Sequence, residues 1–445
     1  MSEMFRIYEL EEARRTILRR VPLDEFEVTE SVKQRIADVF GEGLSPEEAV
    51  RRIVGDVRSR GDAALLEWTE RLDRARLSSL TATAREINAG AAATPPEVLD
   101  ALRLAADRIR AFYRQQPLTS WVSAGAEGLL GQVILPVDRV GVYVPGGTAP
   151  LPSSLLMSAI PAQVAGVKEI IVCTPPGRDG SVPDVILAAA HVAGIERVFK
   201  LGGAQAIAAM AYGTESIPRV DKIVGPGNLF VTLAKRQVYG AVGIDGLIGP
   251  TETLIIADDS ASPATVAADL LAQAEHDVLA QALLVTPDRD LARRVAEELE
   301  TQTARLTRQA IIRESLRHRG GAVIVPDLQT ALAVANEYAA EHLQLSVRDP
   351  HGWLGEVRHA GAIFLGEHSC EVFGDYVAGP SHSLPTGGTA RFSSGLNVLD
   401  FVKVTGVIGL KPEPAARLSE PAAALASAER LTAHAAAARA RGNSR

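Results

Sequence analysis

Residues 374–396 hold five glycines and two prolines, which argue against a regular helix or a central strand. Asp375, His382 and Arg391 are nevertheless embedded there. A long irregular segment of this kind is a binding or catalytic loop, or else disordered. Tyr376, Leu384, Phe392 and Leu396 supply apolar anchors and favour order. An acid, an imidazole and many backbone groups could then converge on one small molecule.

Other chemistry-bearing pairs are shorter. Gln273 and His276 lie three residues apart near the end of a helix opened by Ser262-Pro263, so the spacing puts them on one face. That face is either a weak metal signal, glutamine being a poor zinc ligand, or a polar face shared with Glu275 and Asp277. Glu341-His342 reads as the end of a helix starting near Asp327. It offers two proton acceptors of different basicity, or simply a histidine placed at a helix C-terminus. Glu429 and His434 read as one last helix, about 140° apart on its wheel. Of the nine histidines, His191, His318, His351 and His359 read as surface or satisfied side chains. Cys370 could act as a thiol nucleophile, with His368 as its only partner nearby in sequence.

These groups need elements to hold them. At 445 residues the chain is long enough for two or three domains. A net charge of −8 and the lack of a basic run argue against nucleic acid as a partner. No apolar run reaches the roughly 18 residues of a membrane helix. Two cysteines, Cys173 and Cys370, suit a reducing cytoplasm. The first 116 residues read as helical, with a capping box at Ser45-Pro46-Glu47-Glu48 and the same signal at Thr94-Pro95-Pro96-Glu97. From about Gly131 short apolar runs alternate with glycine loops and helix-like stretches, the signature of a parallel α/β sheet. Strands are expected at 140–144, 169–172, 198–201 and 222–224, then at 253–256, 282–285 and 322–325. The end, from about Pro414, is alanine-rich and helical. Gly225-Pro226-Gly227-Asn228 could turn backbone N–H groups towards a phosphate, or be a tight turn. No dinucleotide glycine fingerprint is present.

Taken together these segments resemble the histidinol dehydrogenase family, from Arg60-Gly61-Asp62-Ala63 to His434. The most specific pieces are Gly141-Val142-Tyr143-Val144-Pro145-Gly146-Gly147, Gly225-Pro226-Gly227-Asn228, Gln273-Ala274-Glu275-His276, Glu341-His342-Leu343 and the 374–396 loop. The resemblance implies an α/β fold of two incomplete Rossmann-like domains with helical N-terminal and C-terminal extensions. The expected division is a helical region at 1–130 packing with the second α/β domain, α/β domains at 131–250 and 251–395, and a helical segment at 396–445 reaching a partner subunit.

It also implies an NAD-dependent, zinc-dependent oxidation of L-histidinol to L-histidine in two hydride transfers. Zinc ligands would be Gln273, His276 and Asp375, with His434 supplied across a homodimer. Glu341 and His342 would be the acid–base pair. Thr251, His382 and Glu429, together with the metal ligands and His342, would contact the substrate. Tyr143, Gln205 and Asn228 would hold NAD. The sequence departs from common family patterns at Thr251, where many members have serine, and at Ser381 and Ser383, where asparagine and valine are frequent. It departs again at Arg430, where glycine is common. Competing readings are the same scaffold acting on another small polar alcohol, a thiol-based aldehyde dehydrogenase using Cys370, and a non-enzymatic NAD-binding regulator.

Overall fold

The structure is a computed structural model that describes residues 4–20, 30–146 and 150–442. Gly147, at the end of one family-like motif, lies outside the described residues, as do residues 443–445. The chain divides into two units, Met1–Gln115 with Asp138–Asp400, and Gln116–Val137 with Phe401–Arg445.

The first unit holds two six-stranded sheets. One runs Thr81–Ala82, Arg197–Lys200, Glu169–Thr174, Arg139–Tyr143, Lys222–Val224, Gly243–Ile244 across the sheet. All its pairings are parallel except that of Thr81–Ala82. The chain starts at Arg139–Tyr143, steps outward twice, then crosses back to Lys222–Val224, so the order reverses between those two strands. The other sheet runs Ile7–Glu9, Gly321–Ile324, Gln281–Thr286, Glu252–Ala257, His342–Ser346, Ala362–Leu365, all parallel. Its order reverses between Glu252–Ala257 and His342–Ser346.

Parallel strands with helices on both faces are apolar throughout, and every residue of Glu252–Ala257 is buried. Alternation still sorts its side chains. Leu254 and Ile256 join one core and Ile255 and Ala257 the other. The helices are opened as their sequences suggest. Ser45, Ser262 and Asp327 each accept the N–H three residues on. Thr94 does not. Its hydroxyl bonds back to Gly90 O at 2.9 Å, and Pro95 precedes Pro96–Tyr113 with no side-chain cap. Thr94 therefore closes the helix before rather than opening the one after.

Several elements differ from the sequence reading. Ile7–Glu9 and Thr81–Ala82 are strands within the stretch that reads as helical. Pro46–Arg60 packs on Gly203–Tyr212 and Leu229–Val238, and Ala84–Ala93 on Asp184–Ala193. These N-terminal helices thus cover the first sheet's helices rather than the second's. Helix Leu328–Tyr338 stops at Ala339, whose φ of 53° is left-handed, and His342 begins a strand. No helix dipole accounts for His342.

In the second unit, Trp121–Gly125, Gly128–Pro136 and Val402–Leu410 form an antiparallel sheet with Gly128–Pro136 in the middle. The C-terminal segment thus begins with a strand before its helices. Those helices are two, Pro412–Ala428 and Thr432–Gly442, packed on each other. Glu429 caps the first and His434 lies on the second, so one helical wheel does not relate them. Among the described residues no helix is long and apolar enough to cross a membrane.

Candidate active site

The amino-terminal edge of the second sheet gathers several of the candidate residues. Thr253 pairs with His342 across adjacent strands, at the point where strand order reverses. Open parallel sheets usually bind ligands at the carboxyl ends of their strands; these candidate residues lie at the opposite edge. The chain enters these strands through Gly249-Pro250-Thr251 and through the turn at Ala339, which brings Thr251, Glu252, Glu341 and His342 together.

Glu341 Oε2 accepts the Thr251 hydroxyl at 2.7 Å and the Glu252 N–H at 3.0 Å. Burial, aided by the nearby Glu252 and Glu371, holds its carboxyl well above the usual carboxylate range. His342 is almost fully buried. Its Nδ1 lies 3.2 Å from Glu252 O, a carbonyl that can only accept, so Nδ1 carries the hydrogen. Among the described residues Nε2 has no hydrogen-bond partner; it lies 3.8 Å from Asp375 Oδ1. Burial holds the imidazole below its ordinary value. The ring is neutral near pH 7, with a lone pair at Nε2.

Asp375 lies on the short helix Glu371–Tyr376, inside the stretch that reads as irregular. Glu371 is one turn earlier on the same face. Ligand-type atoms of His276, Glu371 and Asp375 all lie within 4.8 Å of one another. Burial raises Asp375 to about 7, although the His342 ring opposes this. Burial raises Glu371 to about 8, against a hydrogen bond from the Thr253 hydroxyl. Crowded buried carboxylates of this kind suit a bound cation.

Gln273 is in the last turn of Pro263–Ala274 with 0% exposure, and among the described residues neither end of its amide has a partner. An unpaired buried amide costs about 1–3 kcal/mol, which a ligand taking its oxygen would offset. His276, an exposed residue, sits just past that helix, its N–H on Gln273 O at 3.3 Å. The shared-face argument therefore fails, since His276 is not helical, yet its ring still reaches the carboxylates. The His276 imidazole and the Glu371 and Asp375 carboxylates are donors that a zinc ion takes, and the Gln273 amide oxygen is a weaker one beside them.

His382 is held at both nitrogens, Nδ1 by Asp375 O at 2.9 Å and Nε2 by the Ser154 hydroxyl at 3.1 Å. Burial lowers it to about 4, so it stays neutral. The loop around it is ordered by Tyr113. The Tyr113 phenol donates to Leu396 O at 2.7 Å and accepts the Ser381 N–H at 2.8 Å. Of the expected apolar anchors, Leu384 and Leu396 are buried, whereas Tyr376 and Phe392 are exposed. Arg391 donates to Glu337 O at the end of Leu328–Tyr338, which gives it a structural task.

Tyr143, Gln205 and Asn228 lie at the carboxyl edge of the first sheet, two of them beside its reversal point. The Tyr143 hydroxyl accepts the Gly203 N–H at 3.1 Å. Gln205 is fully buried, and its Oε1 has no partner. Asn228 Oδ1 caps Leu229–Val238 by accepting from Phe230 and Val231 at 3.1 and 3.2 Å. Asp245 takes the Gly225 N–H at 2.7 Å. Those N–H groups are thus already spent, and a phosphate would have to meet others. Gly225 itself is required there. Its φ is 113°, and a Cβ would sit 2.1 Å from Tyr143 O.

Glu429 and His434 are exposed residues of the second unit. Among the described residues no hydrogen bond joins Cys370 to His368; both line an apolar crevice with Phe364 and Phe373. The sequence reading missed Glu371 and Glu252. The spacing of Glu371 to Asp375, one helical turn, was the available signal. Glu252 offered none beyond its place beside Thr251.

The family model for histidinol dehydrogenase matches residues 42–442. The chain belongs to the histidinol dehydrogenase family. It is 56% identical over 410 residues to the histidinol dehydrogenase of Deinococcus radiodurans, covering 92% of this chain and 93% of that one. It is 48% identical over 410 residues to that of Pseudomonas aeruginosa, covering 91% and 90%. The crystal structure of histidinol dehydrogenase from Elizabethkingia anophelis superposes with a TM-score of 0.90 at 33% identity, covering 99% of this chain and 98% of that one. Membership makes the protein an oxidoreductase and agrees with the two parallel-sheet halves.

Proposed function

We propose that the protein is a zinc- and NAD-dependent dehydrogenase that oxidises L-histidinol to L-histidine through L-histidinal, the last steps of histidine biosynthesis. The observation that carries this reading is the free, buried Nε2 of His342 facing Asp375, with Glu341, His276 and the unpaired Gln273 amide belonging to the same group of segments. Gln273, His276 and Asp375 would hold zinc, with His434 supplied by a second copy of the chain. Zinc, when bound, would fix the substrate's amine and imidazole. Tyr143, Gln205 and Asn228 would hold NAD, which accepts one hydride per oxidation; the orphaned Gln205 Oε1 fits such a ligand.

The chain's own groups move the protons. Neutral His342 takes the alcohol proton at Nε2 while Glu252 O fixes the ring through Nδ1. Glu341 takes a proton from the water that adds to the aldehyde. It does so in its ionised form, with Oε2 fixed by the Thr251 hydroxyl and the Glu252 N–H. His382, Thr251 and, from the C-terminal region, Glu429 would contact the substrate. A homodimer is supported by the second unit. Its sheet leaves Trp121, Val122, Leu130, Leu135, Val404 and Ile408 between 48% and 77% exposed, more apolar surface than an isolated sheet keeps in water. A cytoplasmic enzyme without nucleic-acid or membrane partners fits the charge of −8.

The deciding test is NADH formation from L-histidinol by zinc-loaded protein, with the two compounds counted. About two NADH per histidinol is expected. No NADH would overturn the substrate assignment and leave another small polar alcohol. Ser383 favours keeping that second reading in view. It is buried beside His382, and its hydroxyl has no partner.

A further inference from the structure

We infer that Arg20, in the N-terminal segment, is a positioning residue for the Glu341–His342 pair. It acts by clamping Glu252 to the turn at Tyr338–Ala339. The inference rests on the role proposed above for that pair.

Arg20 touches neither base. Its guanidinium bridges the two segments that lead into them. Nη1 forms an ion pair with Glu252 Oε2, on a side chain that is only 2% exposed. Nε donates to Tyr338 O at 2.9 Å and Nη2 to Ala339 O at 3.2 Å. The guanidinium carbon lies over the Tyr338 ring, 3.6 Å from its centroid. The Tyr338 hydroxyl in turn donates to Gln281 Oε1 at 2.7 Å, and Gln281 is the strand partner of Glu252. One planar cation thus fixes the start of Glu252–Ala257 and the left-handed turn two residues before Glu341.

Glu252 passes that constraint on through its backbone. Its N–H holds Glu341 Oε2 and its carbonyl holds His342 Nδ1. A shift of Glu252 or of Ala339 therefore moves both bases, and moves them relative to each other. The Glu252 carboxylate also accepts the N–H of Gly387, and Gly388 packs against Arg20 where a Cβ would lie 3.3 Å from Nε. The end of the 374–396 loop is tied to the same clamp. Only a guanidinium presents a planar fork for a carboxylate and two carbonyls while stacking on a ring. Lysine supplies the charge without the fork.

The test compares Arg20→Met and Arg20→Lys with the wild-type holoenzyme. Displacing reacting groups by about 1 Å costs on the order of 100-fold in rate. Arg20→Met should lose roughly 10- to 100-fold in kcat, with KM for histidinol and NAD and the metal bound per chain little changed. Arg20→Lys should recover part of the loss. A folded Arg20→Met protein with wild-type kcat, or one whose loss lies wholly in KM, would overturn the clamp. Should Arg20→Met not fold, Arg20→Lys with wild-type kcat would overturn it equally. If wild-type protein makes no NADH from histidinol, the substrate reading fails separately. The clamp is then read from the ring 15N shifts of His342. Wild type should show hydrogen at Nδ1, and Arg20→Met should lose that signature. Unchanged shifts would overturn the inference.

Discussion

Gln273 shows how a single side chain can be costly and useful at once. Its buried amide has no hydrogen-bond partner among the described residues, so Gln273→Leu should stabilise the metal-free protein by about 1 kcal/mol in urea unfolding. The same variant should lose at least tenfold in zinc affinity by competition with a chelator. Unchanged zinc affinity would remove Gln273 from the metal set. Cys370→Ser should leave turnover unchanged, since among the described residues no hydrogen bond joins the thiol to His368; a large loss would revive thiol chemistry. At this scale the sequence was legible in residue type and much less in geometry. Asp375 could be picked out because an acid stands out among glycines. Glu371 could not, because Gly374 and the later prolines argued against the short helix that puts the two acids on one face. Gln273 and His276 were paired by a helical spacing that the structure does not keep.

Elements were most legible where stop and start signals are chemical. Ser45, Ser262 and Asp327 open helices as their sequences suggest, and the apolar runs of the parallel strands lie within a residue or two of expectation. Glu341-His342 was misread because its helix ends on Ala339, a residue that seldom takes a left-handed conformation and so gives no stop signal. Arg430 is the same case at the C-terminus. Its φ is 61°, at the break between Pro412–Ala428 and Thr432–Gly442, where glycine would sit without strain. Arg430→Gly should raise stability by about 1 kcal/mol in thermal or urea unfolding. The capping box at Thr83 and Glu86 predicts a pH effect. The Lys200 ammonium, 2.5 Å away, and the Thr83 N–H hold Glu86 down at about 2. A lowered carboxyl stabilises the fold above its unfolded pKa of about 4.5 and loses that stabilisation as pH falls through its folded value. Glu86→Gln should therefore cost about 1 kcal/mol at pH 6, little because the side chain is partly solvated, and nothing near pH 2. A cost that does not change with pH would contradict this assignment.

The whole molecule raises the question of how many chains make a site. If His434 serves a second copy, His434→Ala and Glu341→Gln homodimers should each be nearly inactive. Unfolding and refolding the two together should restore part of the wild-type rate, because one mixed site carries both lesions and the other none. No recovery would argue for sites built within one chain. Nothing in the sequence pattern alone pointed to such sharing, because a helical wheel describes one chain and says nothing of its neighbours. The second unit has another consequence. Its sheet pairs Gly128 with Leu410 and Pro136 with Val402, so 266 to 282 residues separate partners on the ribosome. During synthesis Gly128–Pro136 emerges early and waits with one edge bare until Val402–Leu410 is made. A message cut short anywhere before Val402 yields a chain with a permanently open strand edge, the kind of template on which other chains aggregate.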